Sequence, residues 1–409
     1  MKRLTILFMV FSLEIAKAGG GDPLANLKQN LESMLETSAG RMPLKEIKVL
    51  ANQKNTDIGV AFENYLIAKK KIWAARALFN PVTTGDLLGM SLGMTYLWGA
   101  IAAEAVLSIP TKIYNVKKSK YLSLVAMYNL YEARRLLNNE LAHLYYDVLT
   151  HEVMLKTIDL EIQILIYQEE KWSGRLNSRE KLEEVRKLIL NLGLKRIDIY
   201  NLYAEELSAM RILLSTNESG LNELAQVPLT LDRSITTGID RDSLQNFALA
   251  NSDKYKGAIN LELAAHSNLK KVQWSIISKE ALSFTYRRRI KEARNEEQVA
   301  SMRVEATRLE VKTNVILQLQ KLGSSLELLD HFNSTSEDSL KYNLSVYEAS
   351  KKGQQSVDDA IETSLEAVRD FRNKAVAHYQ SWSSFDDFST SANFDFVSTF
   401  RLRGKATSW

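Results

Sequence analysis

The chain of 409 residues contains no cysteine, only 5 prolines and 17 glycines. Without cysteine there is no disulfide framework, no thiolate metal site and no lipidated cysteine to anchor a mature N-terminus. Scarce proline and glycine leave few compact turns, so long helices are the natural use of this length. An excess of charge of one sign is missing too. The 53 Lys and Arg stand against 49 Asp and Glu, a formal net charge of +4. That balance gives no pointer to nucleic acid or an anionic membrane surface as the main partner.

What is present begins at the N-terminus. Lys2 and Arg3 precede an apolar run from Leu4 to Leu13, and Ala16-Lys17-Ala18 supplies small residues at the two positions a signal peptidase reads. Residues 1–18 are therefore expected to be a cleaved signal peptide, although Glu14 is unusual there and an uncleaved anchor is the alternative reading.

The body of the chain repeats itself, and a repeat of this length decides architecture before any motif does. Asn55-Thr56-Asp57 opens an apolar-periodic helix through Ala61, Ile67, Ala68, Ala75 and Leu78. Asn251-Ser252-Asp253 opens another through Ala258, Leu261, Leu263 and Ala264. Each copy passes a short strand-like patch and enters a very long helical stretch. Each then meets a glycine, Gly193 or Gly353, and reverses into a helix that starts with Ile197-Asp198 or Val357-Asp358. The first long stretch, from Lys120 to Leu192, has its expected interruption at Trp172-Ser173-Gly174; the second, from Arg288 to Lys352, at His331 to Ser336. Some seventy helical residues span on the order of 100 Å, which demands a bundle or coiled coil of comparable helices.

The expected layout is an N-terminal helical segment at 19–54, repeats at 55–217 and 251–380, a linker at 218–250 and a tail at 381–409. Short helices are expected at Pro23 to Ser38 and Leu44 to Ala51. A strand or disorder is expected in the Ser-, Asp- and Phe-rich tail, around Phe394, Phe396 and Leu402.

These features resemble the TolC-like outer-membrane efflux proteins. The resemblance is carried by Ala51-Asn52-Gln53-Lys54-Asn55-Thr56-Asp57 with its counterpart Phe247 to Asp253, and by Ala74-Ala75-Arg76-Ala77-Leu78-Phe79-Asn80-Pro81 before the first strand. It is carried also by Lys187 to Leu194 followed by Asp198, and by Gly353 followed by Asp359 and Glu362. The resemblance implies a mainly α fold: duplicated long helical hairpins forming an α-helical barrel in a homotrimer, with a small β-barrel portion in the outer membrane of a Gram-negative bacterium. It implies a channel for efflux or secretion, not an enzyme, without cofactor, working with a periplasmic adaptor and an inner-membrane pump. It places the adaptor contact at Leu192, Gly193, Leu194 and Gly353, and an acidic pore ring at Asp359 and Glu362. The rival reading is a non-transporting envelope coiled-coil protein.

The strand patches are where the chain departs from that pattern. The first offers a hairpin with arms Gly89 to Trp98 and Ala105 to Tyr114. The second has only Leu282-Ser283-Phe284-Thr285-Tyr286, short of the roughly nine to eleven residues of a membrane strand. The uncharged run Leu87 to Ala103, with Gly85, Gly89 and Gly93 four apart, also fits a single membrane helix, and Gly89-Met90-Ser91-Leu92-Gly93 fits a nucleophile elbow that lacks its αβ context. His143 and His151 share a helix face, with no ligand completing a metal set. Arg287-Arg288-Arg289 reads as a solvated helix start, with cations snorkelling at a membrane boundary as the alternative, and Tyr145, Tyr146, Tyr200 and Tyr203 read as bundle core.

Overall fold

A computed structural model describes residues 23–35, 41–77, 95–173, 179–215, 224–227, 231, 236–275 and 285–392, with the backbone alone for 95–108. The signal peptide, Leu87 to Met94, and Phe394 to Leu402 lie outside them.

The described residues form nine helices: α1 (Leu27–Ser33), α2 (Leu44–Lys54), α3 (Thr56–Ala77), α4 (Thr95–Ser173), α5 (Arg179–Leu213), α6 (Arg241–Asn251), α7 (Asp253–Trp274), α8 (Thr285–Lys351) and α9 (Val357–Ala392). The duplication is visible in their lengths. Helices α2 to α5 have 11, 22, 79 and 35 residues, and α6 to α9 have 11, 22, 67 and 36. Both copies open with a side-chain cap. Asn55 Oδ1 accepts from the amides of Asp57 at 2.9 Å and Ile58 at 3.1 Å, and Ser252 Oγ from that of Tyr255 at 3.2 Å. Such caps satisfy amides the first helical turn leaves free.

Among the described residues there is no β-strand, only an isolated parallel bridge between Met42 and Leu224. The expected arm from Ala105 to Tyr114 is helical, running through Pro110. Beyond it, Asn115 and Lys118, one turn apart, both reach α7, where Lys271 donates to Asn115 and Lys118 to Asn268, each at 3.0 Å. A strand would send residues three apart to opposite sheet faces. Likewise the break expected at His331 to Ser336 is absent, because Ser334 and Thr335 turn their hydroxyls onto the His331 carbonyl at 2.8 and 3.0 Å inside a continuous α8. Nor does the tail begin at Ser381. Helix α9 runs on to Ala392 with Ser381, Phe385, Phe388 and Ala392 all buried, an i, i+4, i+7, i+11 stripe.

The chain divides into two compact units. One comprises Met1–Ala51, Asn139–Gly238 and Leu319–Asp387. Its core is large and aliphatic or aromatic, with Leu141, Leu149, Ile158, Ile164, Leu322, Leu326 and Phe371 almost fully buried. The other comprises Asn52–Asn138, Ile239–Gln318 and Phe388–Trp409. Here α7 and α8 bury small residues, Gly257, Ala258, Ala264, Ala293 and Ala300, beside Leu269, Val304, Val311 and Val315. At Gly257 even an added Cβ would meet Tyr128 Cβ at 3.5 Å, so α4 and α7 pack closely. Among the described residues, no helix is long and apolar enough to cross a membrane.

Candidate functional site

The hairpin reversals are the parts of this fold that sequence reasoning singled out, and they behave differently. Gly353 ends α8 with φ +69°, a left-handed conformation that costs glycine little. Its amide donates to the Ser350 carbonyl at 3.1 Å and that of Gln354 to the Ala349 carbonyl at 2.9 Å, the paired bonds of a Schellman termination. Ser356 Oγ then caps α9 by accepting from the Asp359 amide at 3.0 Å. Cross-helix partners agree with a reversal there. Ser381 donates to the Ser325 carbonyl at 3.0 Å, Asn343 to Ser364 at 2.7 Å, and Ser339 to Asp370, and each pair is centred in sequence within two residues of Gly353.

Gly193, by contrast, is inside α5 and buried. The contacts of α4 with α5 place the first reversal elsewhere. Arg196 pairs with Asp159 at 2.6 Å, Arg186 with Glu169 at 2.6 Å, and His151 with Glu206 at 2.8 Å, each pair centred on or beside residues 174–178. Leu192 packs with Ile189 against Ile158, Ile162 and Ile199, so apolar periodicity carries straight through Gly193. One glycine costs a helix about 1 kcal/mol against alanine, which tertiary packing overrides. Leu194 is exposed. The structure thus separates the expected contact set: Gly353 is at a reversal, while Leu192, Gly193 and Leu194 are in mid-helix. Ile197-Asp198 is no helix start.

Asp359 and Glu362 are exposed on one side of the first turns of α9, favourably placed for the helix dipole. Their neighbour Asp358 does something the sequence did not signal. It accepts a 2.8 Å hydrogen bond from Nε1 of Trp172, at the end of α4, and Lys181 of α5 lies 5.3 Å over the same indole. Leu365 of α9 joins Trp172, Leu165 and Val185 in one cluster, so the two reversals are tied together.

Deeper in the same unit, α4 and α9 are joined by charge. Arg372 donates to Glu161 at 2.5 Å with both side chains buried, and Tyr146 to Asp386 at 2.8 Å. His143 and His151 do share a face of α4, as read from the sequence. The carboxylates that meet them, Asp387 and Glu206, come from α9 and α5, too far along the chain for spacing to reveal. Ser383, His143 and Asp387 form a hydrogen-bonded chain in which both histidine contacts are 2.8 Å. It has the connectivity of a hydrolytic relay. It lies wholly within helices, whose amides are committed to carbonyls one turn back. No group of three or more metal-ligating side chains occurs among the described residues.

Tyr145 and Tyr146 are core, while Tyr200 is exposed. The Tyr145 hydroxyl donates to the Ala225 carbonyl and that of Tyr379 to Gln226, which pins the segment 224–227 onto the bundle. Arg287 to Arg289 stand exposed in the first turns of α8.

No family model and no curated protein sequence matches the chain. Solved structures do. The outer membrane protein VceC of Vibrio cholerae aligns with a TM-score of 0.64 at 9% identity, over 86% of this chain and 96% of that one. The Campylobacter jejuni CmeC outer membrane channel gives 0.62 at 12% identity, over 88% and 89%. The open state of the Neisseria gonorrhoeae MtrE outer membrane channel gives 0.58 at 12%, over 86% and 89%. The chain therefore has the fold of the TolC-like outer-membrane efflux channels.

Proposed function

We propose that the protein is one subunit of a homotrimeric, TolC-like outer-membrane duct for efflux or type I secretion, working with an inner-membrane pump and a periplasmic adaptor. The observation that carries this reading is the end-to-end likeness to channel structures, 86% of this chain against 96% of VceC. Exposed apolar side chains on α3 (Val60, Phe62, Ile67, Trp73) and α8 (Val299, Met302, Leu309, Leu317) support it, since they suit helices that pack further against copies of themselves. The adaptor contact is then expected at the reversals, around Trp172 and Arg179 in the first and Gly353 in the second. Asp359 and Glu362 supply the acidic ring. The test is membrane fractionation with heat-modifiable migration. A duct gives an outer-membrane trimer that collapses to monomer only on boiling.

One observation favours the second reading, a non-transporting envelope coiled-coil protein. Positions 78–94 and 275–284 are all that separates α3 from α4 and α7 from α8. Each is shorter than the roughly twenty residues that two membrane strands need. A soluble, unboiled monomer in the fractionation establishes that alternative.

A further inference from the structure

His143, Asp147 and His151 stand at i, i+4 and i+8 on α4, a column on one helix face. Nε2 of His143 is 2.8 Å from Asp387 Oδ1, its Nδ1 is 2.8 Å from Ser383 Oγ, and Asn139 donates to the same Asp387 oxygen at 2.9 Å. Nδ1 of His151 is 2.8 Å from Glu206 Oε2. Asp387 belongs to the last turns of α9 and Glu206 to the last turns of α5. A single column thus holds the far ends of both return helices. Beside it runs a groove of about 480 Å³, lined in part by Tyr146, Asp147, Lys321 and Ser383. The His143 side chain is itself 40% exposed and that of His151 18%.

We propose that this column is a pH-sensitive clamp on the C-terminal ends of α5 and α9, tight with both imidazoles protonated and slack with both neutral. In the tautomer that turns the ring N–H to the carboxylate, the nitrogen facing it carries a proton in either state. Titration therefore happens at the other nitrogen and sets a positive imidazolium opposite the carboxylate, turning a hydrogen bond with one charged partner into an ion pair with two. Acidic groups face the column from three helices. Asp386 and Asp387 face His143 from α9, Glu206 faces His151 from α5, and Asp147 lies between the two. Against them stand Lys321 of α8, acting on Asp387, and Lys48 of α2, 3.4 Å from Asp386.

The hydrogen bond to Asp387 raises His143 above the ordinary value of 6.5, and that to Glu206 raises His151, both against burial. Burial and Glu206 push the Asp147 carboxyl up, the two histidines opposing them. A raised histidine stabilises the fold fully below its unfolded value, and the contribution fades as pH climbs through the folded one. The clamp therefore slackens in mild alkali.

The test is amide hydrogen exchange on the full chain in detergent from about pH 6 to about pH 9, corrected for intrinsic base catalysis. Opening of the last turns of α5 and α9 should increase severalfold across that range, as the proton held more tightly by the closed form is lost. The turns next to Gly353 should stay level. In the His143→Gln/His151→Gln variant that rise should vanish. If the variant fails to fold, Asp387→Asn and Glu206→Gln, which keep the imidazoles and remove their charge partners, should abolish it one helix at a time. Exchange at those ends that is independent of pH in the wild type, or a rise that persists in the variants, overturns the clamp.

Discussion

The two hairpins share a plan and differ in how their reversals are written. In the second, Gly353 has a positive φ, and the two Schellman bonds with the Ser356 cap leave little of the turn to other forces. In the first, Gly193 carries no such burden and is simply buried in α5, while the helix pairs place the reversal between the end of α4 and the start of α5. A glycine marks a turn only where its backbone freedom is used. Pair register is the stronger evidence, because every cross-helix contact reports the same turn independently.

The sharpest way to break the comparison is at the joint between the hairpins. Glu161 of the first and Arg372 of the second form a buried pair, with side chains 1% and 11% exposed. Removing one partner leaves the other buried and uncompensated, a loss of about 3–5 kcal/mol. Glu161→Ala should therefore lower the urea midpoint far more than an exposed ion-pair deletion such as Glu183→Ala, for which under about 1 kcal/mol is expected. Equal effects would mean that the hairpins are held together by apolar packing alone.

A second large effect belongs to α9 only. Burial holds His378 down to about 4, the nearby Val227 carbonyl opposing that and Lys374 adding to it. Between its unfolded value of 6.5 and about 4 the unfolded chain binds the extra proton, so stability falls as pH falls, by on the order of 3 kcal/mol. His143 and His151 on α4 carry the opposite sign. Urea titrations at pH 7 and pH 5 should show this acid sensitivity in the wild type and a flatter response in His378→Leu.

Next come the glycines themselves. Because Gly193 is buried among packed helices, Gly193→Trp should overfill the site and cost about 1–3 kcal/mol in thermal unfolding. Gly353→Ala, where an added Cβ meets nothing within 4 Å but φ is +69°, should cost about 1 kcal/mol from backbone strain alone. A fold indifferent to tryptophan at Gly193 would restore the reading of that glycine as an exposed turn.

The duplication was legible because it is periodic. Asn55-Thr56-Asp57 and Asn251-Ser252-Asp253, followed by apolar spacing, announced the starts of α3 and α7 within a residue or two, and the first helices of the copies match in length. What hid was of two kinds. Composition misled where polar residues were absorbed into helices: Ser334, Thr335, Ser381 and Ser391 satisfy their hydroxyls on their own helix backbone, which no hydropathy pattern registers. Long-range partners were invisible for a different reason. Trp172 with Asp358, or His143 with Asp387, are neighbours only once two antiparallel helices are in register.

The smallest expected effect on the fold is at the acidic pair that follows Gly353. Asp359 and Glu362 are exposed, and no ion pair to either occurs among the described residues. What they contribute to α9 is attraction to its N-terminal dipole, worth well under about 1 kcal/mol for surface carboxylates. Asp359→Ala/Glu362→Ala should thus leave the unfolding curve nearly unmoved. Transport is another matter. In a trimer the pair would bring six carboxylates to one narrow opening, a field that draws cations and repels anions. Planar-bilayer recordings should then show wild-type channels that favour cations and are blocked by divalent ions, with both properties weakened together in the double variant. Block and selectivity that ignore the substitution would leave the pair as a solvated helix start. The contrast with the first hairpin would then rest on Gly353 alone.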